Sequence, residues 1–360
     1  MLRAAIIGAT GVVGQQFVIA LQRHPWFKLT VLAASERSAG KTYKEALTSA
    51  RGQFQWYCDE ACDPAVLDMP VLEASTLDGT EADIFFSGLE TEAARELEPK
   101  YARHAAVIST ARAFRDDVDV PVLIPGVNSD HARLVERQRL TRGWKGFIAT
   151  QPNCTTVGLA ITLRPIIDAF GVDQVLMTSM QALSGAGRAG GVLGMDILDN
   201  VVPFIPNEEE RVELESKKIL GVLGEGRIEP LPLRVSATCT RVNVMDGHTE
   251  AVWVTTKKKA SAADVRDAMR AYAPVLRPFN LPSAPQNMIT VSDDPYRPQP
   301  RWDRGIEDGM STVVGRLRDD GALDNGVKYV LLSHNTKMGA AKGAVLMAEL
   351  MQHDGLISAS

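Results

Sequence analysis

The sequence predicts an α/β protein, with a doubly wound sheet followed by an α+β region that contains a mixed, largely antiparallel sheet. In the first half, short apolar runs alternate with polar or helical segments, and a glycine-rich turn follows the first run. In the second half, several apolar runs are joined by hairpin-like turns. Because 360 residues exceed what one hydrophobic core usually supports, we expect two domains.

The apolar periodicity places the individual elements. In the first half we predict strands at Arg3–Ile7, Leu29–Ala34, Ile84–Phe86, Ala106–Ile108, Val122–Ile124 and Phe147–Ala149. In the second half we predict strands at Val175–Leu183, Leu233–Val244, Glu250–Thr256, Ser311–Leu317 and Val327–Leu332. Three helices are expected to cover one face of the second sheet, at Asn207–Leu220, Ser261–Tyr272 and Met338–Gln352. The predicted domains are residues 1–152, completed by a C-terminal helix at about 336–360, and residues 153–335.

The glycine-rich turn, GATGVVG, joins the first strand to an amphipathic helix. Gly8, Gly11 and Gly14 allow a tight turn, close approach of the backbone to a pyrophosphate, and close packing of a helix whose N-terminus faces the anion. A purely structural turn is the alternative, but the position between a strand and a helix favours a nucleotide site. The first domain is therefore predicted to be a Rossmann-type dinucleotide-binding domain.

The residues after the second strand, AASERSAGK, bear on the choice of dinucleotide. NAD-binding forms usually place an acid there, whereas a 2′-phosphate is bound by cations and hydroxyls. The cations and hydroxyls of Ser35, Arg37, Ser38 and Lys41 favour NADP. The acidic Glu36 leaves NAD as the alternative cofactor.

Cys154 lies in QPNCTTVGLAITL, where a proline-asparagine turn opens into an apolar run of helical length. A thiol at a helix N-terminus meets the positive end of the helix dipole, which predicts a lowered pKa and a nucleophile. The alternative is a small buried apolar residue, since free cysteine is among the most buried residue types. In RVNVMDGHTEAVWV, Arg241 and His248 flank an Asp246-Gly247 hairpin signal. A cation and a general base on one hairpin are the partners that a thiolate acyl-transfer site needs.

Composition excludes several classes of protein. The formal net charge is −5 and no dense basic stripe is present, which argues against a nucleic-acid-binding face. No stretch approaches about 18 consecutive apolar residues, so we expect no membrane segment. Four scattered cysteines suit a reducing cytoplasm, and Cys58 and Cys62 lack the further ligands of a metal site, so no metal is predicted.

The ordered motifs GATGVVG, ASERSAGK, PNCTT, QALSGAG, NEEERVELESKKILG, RVNVMDGHTE, RPQPRWDR and SHNT resemble aspartate-semialdehyde dehydrogenase in its archaeal and fungal form. The resemblance covers nearly the whole chain. It implies that the chain converts β-aspartyl phosphate and NADPH to aspartate semialdehyde, NADP and phosphate, on the route to lysine, threonine and methionine. It also implies a second domain that is catalytic and forms a homodimer or homotetramer.

The resemblance also implies roles for individual residues. Cys154 would form a thioester, His248 would act as the acid/base, and Gln181 and Asn153 would orient the acyl group and support the oxyanion. Substrate would be bound by Arg115 and Lys218 at the phosphate, Glu215 at the amino group and Arg241 at the carboxylate. The expected cofactor-binding residues are Gly8, Thr10, Gly11, Val12, Val13, Gly14, Ser35, Arg37, Ser38, Ser87, Ser184, Gly185 and Asn335. Taken alone, Glu215 and Lys218 would be read as a surface ion pair on one helix face, and Arg115 as a solvated loop charge.

The chain departs from the family pattern at five positions that flank the acyl-phosphate and cofactor sites: Thr110, Arg112, Gln151, Arg188 and Met338. The runner-up function is therefore a sister enzyme acting on another activated acyl group, such as malonyl-CoA or N-acetylglutamyl phosphate. A third interpretation is a nucleotide-sensing protein that kept the fold and lost catalysis. The retained Cys154 and His248 argue against that interpretation, and Asn153, Glu215, Lys218 and Arg241 favour an amino-acid substrate.

Overall fold

The computed structural model describes residues 1–187 and 194–358. Its first half contains a six-stranded sheet whose paired strands are all parallel, in the order β3-β2-β1-β4-β5-β6, the strand order of a Rossmann fold. The prediction of a doubly wound sheet is confirmed. The strands are β1 (Leu2–Ile7), β2 (Phe27–Ala34), β3 (Val71–Glu73), β4 (Ile84–Ser87), β5 (Ala106–Ser109) and β6 (Phe147–Thr150).

The helices of this half are α1 (Val12–Leu21), α2 (Tyr43–Ala46), α3 (Pro64–Leu67), α4 (Thr91–Ala102) and α5 (Leu134–Arg142). The glycine-rich turn lies between β1 and α1. Gly8 has a φ of +78°, a conformation that side chains with a Cβ rarely adopt. A Cβ on Gly14 would lie 2.2 Å from the carbonyl oxygen of Gly8. The turn therefore requires glycine at both positions, and it places the start of α1 directly at the end of β1.

The strand predicted at Val122–Ile124 is wrong. The segment makes only an isolated parallel bridge, between Val122 and Thr150 of β6. The side chain of Asn128 takes the place of a neighbouring strand: its Oδ1 accepts from the N–H of Ile124 at 2.8 Å, and its Nδ2 donates to the carbonyl of Val122 at 2.9 Å. Buried backbone groups need partners, and a side chain supplies them here. The short strand β3 was not predicted.

The second half contains a six-stranded mixed sheet in the order β10-β7-β11-β14-β13-β12, and a separate two-stranded sheet formed by β8 and β9. The strands are β7 (Val172–Gln181), β8 (Val222–Leu223), β9 (Ile228–Glu229), β10 (Arg234–Arg241), β11 (His248–Thr256), β12 (Ile289–Val291), β13 (Thr312–Asp320) and β14 (Gly326–Ser333). Strands β13 and β14 form an antiparallel hairpin. Three neighbouring pairs of the six-stranded sheet are antiparallel and two are parallel.

The hairpin predicted around Asp246-Gly247 is wrong. Strand β7 lies between β10 and β11, parallel to the first and antiparallel to the second. Residues 242–247 instead cross the end of β7, where the N–H of Val242 donates to the carbonyl of Gln181 at 3.0 Å. A turn signal reports only the local reversal of the chain, whereas the partner of each strand is decided by packing of the whole sheet.

The helices of the second half are α6 (Cys154–Phe170), α7 (Gly194–Ile197), α8 (Glu208–Ile219), α9 (Ala262–Tyr272), α10 (Pro300–Asp303) and α11 (Ala341–His353). Helices α6, α8 and α9 contact the strands of the six-stranded mixed sheet. The C-terminal helix does not belong with them, contrary to the prediction that it covers this sheet. Helix α11 packs against α1 and β5 of the first sheet.

The second sheet has one covered face and one bare face. Along β11 buried and half-exposed residues alternate strictly, with His248, Glu250 and Val252 buried and Thr249, Ala251 and Trp253 half-exposed. Because side chains of a strand alternate between faces, the second set marks a face that no described helix covers. Leu176 of the adjacent β7 is 40% exposed on the same cleft as Trp253. Among the described residues, no helix has the length and apolar character needed to cross a membrane.

Candidate active site

Three predicted site residues come together at one edge of the second sheet, where the ends of three neighbouring strands meet. Arg241 is the last residue of β10, Gln181 is the last residue of β7, and His248 is the first residue of β11. Because β7 runs parallel to β10 and antiparallel to β11, these two strand ends and one strand start coincide. The register pairs Arg241 directly with Gln181. Sheet topology therefore assembles a cation, an amide and an imidazole that are far apart in sequence.

Cys154 faces this edge from the first turn of α6, as the sequence predicted. The cap of the helix is Asn153, whose Oδ1 accepts from the backbone N–H groups of Thr155 at 2.9 Å and Thr156 at 3.2 Å. Such a cap satisfies N–H groups that have no partner within the helix. Sγ of Cys154 lies 3.1 Å from Nε2 of His248. The thiol and the imidazole are therefore in direct hydrogen-bonding contact.

The predicted lowering of the Cys154 pKa is wrong for this structure. Burial, with a smaller contribution from the carboxylate of Glu208, raises the pKa of the thiol to about 12. Arg241 and Arg115 oppose this rise but do not overcome it. Burial also lowers the pKa of His248 to about 3, with Arg241 and His334 acting in the same direction. Desolvation therefore disfavours the charged form of both groups.

Glu208, which the sequence analysis missed, connects the residues around Cys154. Its side chain is buried, with 5% of its surface exposed, at the first position of α8. Its Oε1 accepts hydrogen bonds from Asn153 Nδ2 at 2.9 Å, Gln181 Nε2 at 3.1 Å and Thr155 Oγ1 at 3.3 Å. In the sequence Glu208 is one of three consecutive glutamates, and nothing local distinguishes it from the other two.

These contacts bear on the predicted oxyanion donors. Gln181 Nε2 donates to Ser179 Oγ at 3.2 Å as well as to Glu208, so both of its N–H bonds are in use. Asn153 Nδ2 donates to Glu208 and keeps one N–H bond available. Both amides lie beside Cys154, as predicted. Most of their N–H groups donate to Glu208 and Ser179 and so fix the positions of these side chains.

The predicted substrate residues Arg115, Glu215 and Lys218 form one buried network. Arg115 Nη1 donates to Glu215 Oε1 at 3.0 Å, and both side chains are less than a tenth exposed. The second oxygen of Glu215 accepts from the backbone N–H of Asn153 at 2.6 Å. Lys218 Nζ donates to the carbonyls of Arg115 at 2.6 Å and Asp117 at 3.0 Å. Neither a surface ion pair nor a solvated loop charge describes these residues.

Arg241 lies apart from that network. Its Nη1 donates to the carbonyl of Ala182 at 2.7 Å, and only 5% of the residue is exposed. It lines a pocket together with Cys154, Asn153, Glu208 and Arg211. Within that pocket, Arg211 forms a long ion pair with Glu208, at 3.6 Å. Arg211 is a second functional candidate that the sequence analysis missed, since it lies within the charged run of α8.

A continuous cleft runs from the start of α1 to Cys154, and several predicted cofactor residues line it: Val12, Val13, Ser184, Gly185 and Asn335. The N-terminus of α1 suits an anion. Gly11 caps the helix without a side-chain hydrogen bond, so the first backbone N–H groups stay available, and no acidic residue occupies the first turn. Gly8, Thr10 and Gly11 form the turn before it, and Gly14 lies in the first turn of the helix. Asn335 is fixed by a bond from Nδ2 to Ser184 Oγ at 2.8 Å and by accepting from the N–H of Gly247 at 2.8 Å.

The remaining cofactor residues lie at the ends of β2 and β4. Ser35 and Arg37 are exposed and Ser38 is half-exposed in the turn after β2, where a 2′-phosphate can be reached. Glu36 is exposed in the same turn. Ser87 is fully buried, and its neighbour Gly88 lines the cleft instead.

The departures from the family pattern have structural partners. Gln151 Nε2 donates to the carbonyl of Met338 at 2.9 Å, and both residues are buried. Thr110 Oγ1 donates to the carbonyl of Ser87 at 3.0 Å. Arg112 lines the cleft and pairs with Asp116 at 3.7 Å, whereas Arg188 lies outside the described residues.

Comparison with known proteins agrees with this architecture. Residues 3–135 match the model of the semialdehyde dehydrogenase NAD binding domain, and residues 163–338 match that of the semialdehyde dehydrogenase dimerisation domain. The aspartate-semialdehyde dehydrogenase of Methanothermobacter thermautotrophicus is 46% identical over 351 residues, which cover 98% of this chain and 99% of that protein. The Candida albicans enzyme is 42% identical over 371 residues, covering 99% of each chain.

Solved structures give the same result. The crystal structure of the Candida albicans aspartate-semialdehyde dehydrogenase with NADP superimposes with a TM-score of 0.89 at 40% identity, covering 99% of this chain and 100% of that chain. Aspartate semialdehyde dehydrogenase II of Vibrio cholerae, complexed with ASA, has a TM-score of 0.77 at 27% identity and covers 98% of this chain and 99% of its own. The family predicted from the motifs is confirmed: this chain belongs to the aspartate-semialdehyde dehydrogenase family.

Proposed function

We propose that this enzyme reduces L-4-aspartyl phosphate to L-aspartate 4-semialdehyde with NADPH, releasing phosphate, through a thioester on Cys154. The observation that carries the proposal is the contact of 3.1 Å between Cys154 Sγ and His248 Nε2 at the end of a cleft that begins at the glycine-rich turn. A nucleophile, its partner and a dinucleotide site thus share one cavity. That arrangement suits acyl transfer followed by hydride transfer.

We assign the substrate roles from charge and position. Arg241, with a planar fork of donors in the Cys154 pocket, binds the α-carboxylate. Arg115 and Lys218 bind the phosphate, and Glu215 binds the amino group. Asn153 holds the reacting carbonyl beside Sγ with its remaining N–H, and Glu208 orients the amides of both Asn153 and Gln181.

NADPH would supply the hydride when bound. Its pyrophosphate fits the uncapped start of α1, and Ser35, Arg37 and Ser38 fit its 2′-phosphate. Ser184 and Asn335, which are hydrogen-bonded to each other, line the cleft between that turn and Cys154. These two residues therefore suit the nicotinamide end of the cofactor.

The test is a spectrophotometric assay of the reverse reaction, with aspartate semialdehyde, NADP and phosphate, in parallel with CoA in place of phosphate. We expect turnover with phosphate and none with CoA. Cys154→Ser should abolish turnover and leave NADPH affinity nearly unchanged, because a hydroxyl lacks thiolate character. Turnover only with CoA would favour the sister enzymes, and full activity of Cys154→Ser would refute the thioester.

We also propose a homodimer built through the bare face of the second sheet. This face bears Leu176, Trp253 and Leu323 and lies within the matched dimerisation domain. Apolar area left uncovered on a sheet is typical of an interface between subunits. A solution mass of twice the 39.1 kDa chain, measured by light scattering, supports a dimer, and four times that mass supports the tetramer.

The domain division belongs to the same proposal. Residues 1–152 with α11 form the NADP-binding domain, since α11 packs on α1 and β5, and residues 153–335 form the catalytic and oligomerisation domain. We place the enzyme in the cytoplasm, because all four cysteines, including the half-buried Cys58 and Cys62, are free thiols.

A further inference from the structure

Arg211 lies on the face of α8 that carries the other site residues of this helix. Glu208, Glu215 and Lys218 stand three, four and seven positions from Arg211 in the sequence. Residues at these spacings share one face of an α-helix. Arg211 therefore projects from the same face as Glu215, one turn closer to the start of the helix.

The guanidinium of Arg211 is poorly paired. Within the described part of the chain none of its N–H groups donates a hydrogen bond, and its Nε is buried without a partner. Its Nη1 lies 3.6 Å from Oε2 of Glu208, which is longer than a hydrogen bond. The donors that bind Glu208 all meet the other oxygen, Oε1. Arg211 therefore brings to the site N–H donors that its described neighbours leave unused.

Arg211 lines both cavities that meet at Cys154. One is the pocket that also contains Arg241, and the other is the cofactor cleft that also contains Arg115. The described residues common to the two cavities are Asn153, Cys154, Gly185, Ala186 and Arg211. Arg211 is the only cation among these shared residues. It therefore lies where the two cavities join, on the wall that they share with the nucleophile.

The cations already assigned to the phosphate have protein partners. Arg115 donates through Nη1 to Glu215 and through Nη2 to the carbonyl of Thr110 at 2.9 Å. Lys218 donates to two backbone carbonyls and lines neither cavity. A phosphate group carries up to about two negative charges and three strong acceptor oxygens. A guanidinium with unused donors suits such a group, because it can bind two phosphate oxygens with parallel N–H bonds.

We propose that Arg211 is a further phosphate-binding residue of this enzyme, which holds the phosphate group as it joins or leaves the acyl carbon on Cys154, together with Arg115 and Lys218. This inference rests on the proposed function and adds a residue to it. Arg241 lines the Cys154 pocket but not the cleft, and it keeps the α-carboxylate. Because a guanidinium stays charged at every working pH, Arg211 supplies charge and orientation and takes no part in proton transfer.

Steady-state kinetics of the reverse reaction test this role, with phosphate and aspartate semialdehyde varied in turn. Arg211→Gln removes charge-assisted hydrogen bonds, so KM for phosphate should rise about 10- to 100-fold while KM for aspartate semialdehyde changes less than about threefold. Arg211→Lys keeps the charge without the fork, so its KM for phosphate should lie between those of Arg211→Gln and the wild type. The matched control is Lys217→Gln, which removes one positive charge from the same helix at a residue that lines neither cavity.

Three kinetic results would overturn the proposal. The first is an unchanged KM for phosphate in Arg211→Gln. The second is an equal rise in both KM values, which would make Arg211 a carboxylate-binding or supporting residue. The third is an equal rise in Lys217→Gln, which would show an effect of overall charge.

A measurement without turnover separates this inference from the proposed function. Inorganic phosphate bound beside the sulfur should slow the alkylation of Cys154 by iodoacetamide in the enzyme without substrates, with peptide mapping to separate the four cysteines. The phosphate concentration that halves the rate should rise at least about tenfold in Arg211→Gln and keep its wild-type value in Lys217→Gln, at an ionic strength held constant with sodium chloride.

Equal half-protecting concentrations in the wild type and Arg211→Gln, or no protection by phosphate in the wild type, would refute a phosphate site at Arg211. Protection that depends on Arg211, in an enzyme without phosphate-dependent turnover, would support the site and refute the proposed reaction instead.

Discussion

Replacing Glu208 is the sharpest test of how this site is held together. Its Oε1 accepts three hydrogen bonds, from Asn153, Gln181 and Thr155. Glu208→Ala leaves these donors without their acceptor, and each buried unsatisfied group costs about 1–3 kcal/mol. Because the pocket beside Arg211 can admit water, we expect the lower end of that range for each of the three donors. The total loss in the free energy of unfolding is then about 3 kcal/mol. Glu208→Gln keeps an acceptor of the same shape without charge, and we expect a loss of about 1–2 kcal/mol.

The two variants also separate positioning from charge. In Glu208→Ala the amides of Asn153 and Gln181 lose their orientation, and we expect kcat/KM to fall about 10²-fold, equivalent to about 2.7 kcal/mol. In Glu208→Gln the carboxylate that raises the pKa of Cys154 is gone, so alkylation of the thiol at pH 8 should be faster than in the wild type. Urea denaturation, steady-state kinetics and iodoacetamide labelling measure these effects.

The control is Glu210→Gln, an exposed position in the same turn of α8. It should change the free energy of unfolding by no more than about 0.5 kcal/mol. If Glu208→Ala matches this control in stability and in kcat/KM, the hydrogen bonds to Glu208 do not organise the site and the reasoning fails.

Three further predictions concern the cofactor, the substrate and a buried acid. Arg37→Ala should weaken NADPH binding more than NADH binding by about 1–3 kcal/mol, and an equal loss for both would show that Arg37 does not contact the 2′-phosphate. Arg241→Lys keeps the charge but loses the fork, so kcat/KM should fall about 10²-fold with NADPH affinity preserved; intact kinetics would count against the amino-acid substrate. Burial raises the pKa of Glu98 to about 7. Between the ordinary pKa of glutamate and about pH 7, the folded protein therefore keeps a proton that the unfolded chain has lost. Stability falls as pH rises through that window. Glu98→Gln should remove that fall, so it should stabilise the protein more at pH 8 than at pH 5, by up to about 3 kcal/mol. Urea denaturation at the two pH values measures the difference in the free energy of unfolding. An equal effect at both pH values would contradict the raised pKa of Glu98.

Features encoded in short stretches of sequence were predictable. The turn at Gly8, the start of α6 at Cys154 and most strands of the first sheet depend on backbone conformation and apolar periodicity within a few residues. The family resemblance then brought together residues that local patterns cannot connect, such as Arg115 with Glu215, which are 100 positions apart.

Features that depend on distant partners were missed or wrong. The segment at Val122 has strand-like sequence, but the side chain of Asn128 replaces the neighbouring strand. The turn before His248 has a hairpin signal, but β7 inserts between the two strands. The pKa of Cys154 was predicted from the helix dipole alone, and that prediction left out burial, which raises the pKa of the thiol in the folded protein. Glu208 could not be singled out, because its importance comes from three distant donors: the cap of α6, the first turn of α6 and the end of β7.

The network around Glu215 bears on substrate selection. One oxygen of Glu215 is occupied by Arg115 and the other by the backbone of Asn153, while Lys218 is bound to two carbonyls. A ligand that separated Arg115 from Glu215 would leave two buried charges, and breaking such a pair by removing one partner costs about 3–5 kcal/mol.

A ligand can compensate for this cost only by supplying both replacements, an anion for Arg115 and Lys218 and a cation for Glu215. L-4-aspartyl phosphate carries a phosphate and an ammonium group, whereas malonyl-CoA has no ammonium group for Glu215 and N-acetylglutamyl phosphate has an amide in its place. On this argument discrimination arises from charges that the resting enzyme has already paired with each other. An acyl phosphate without the amino group should therefore lose more affinity than one hydrogen bond to Glu215 accounts for, and a loss of only about 1 kcal/mol would show that Arg115 and Glu215 stay paired when substrate binds.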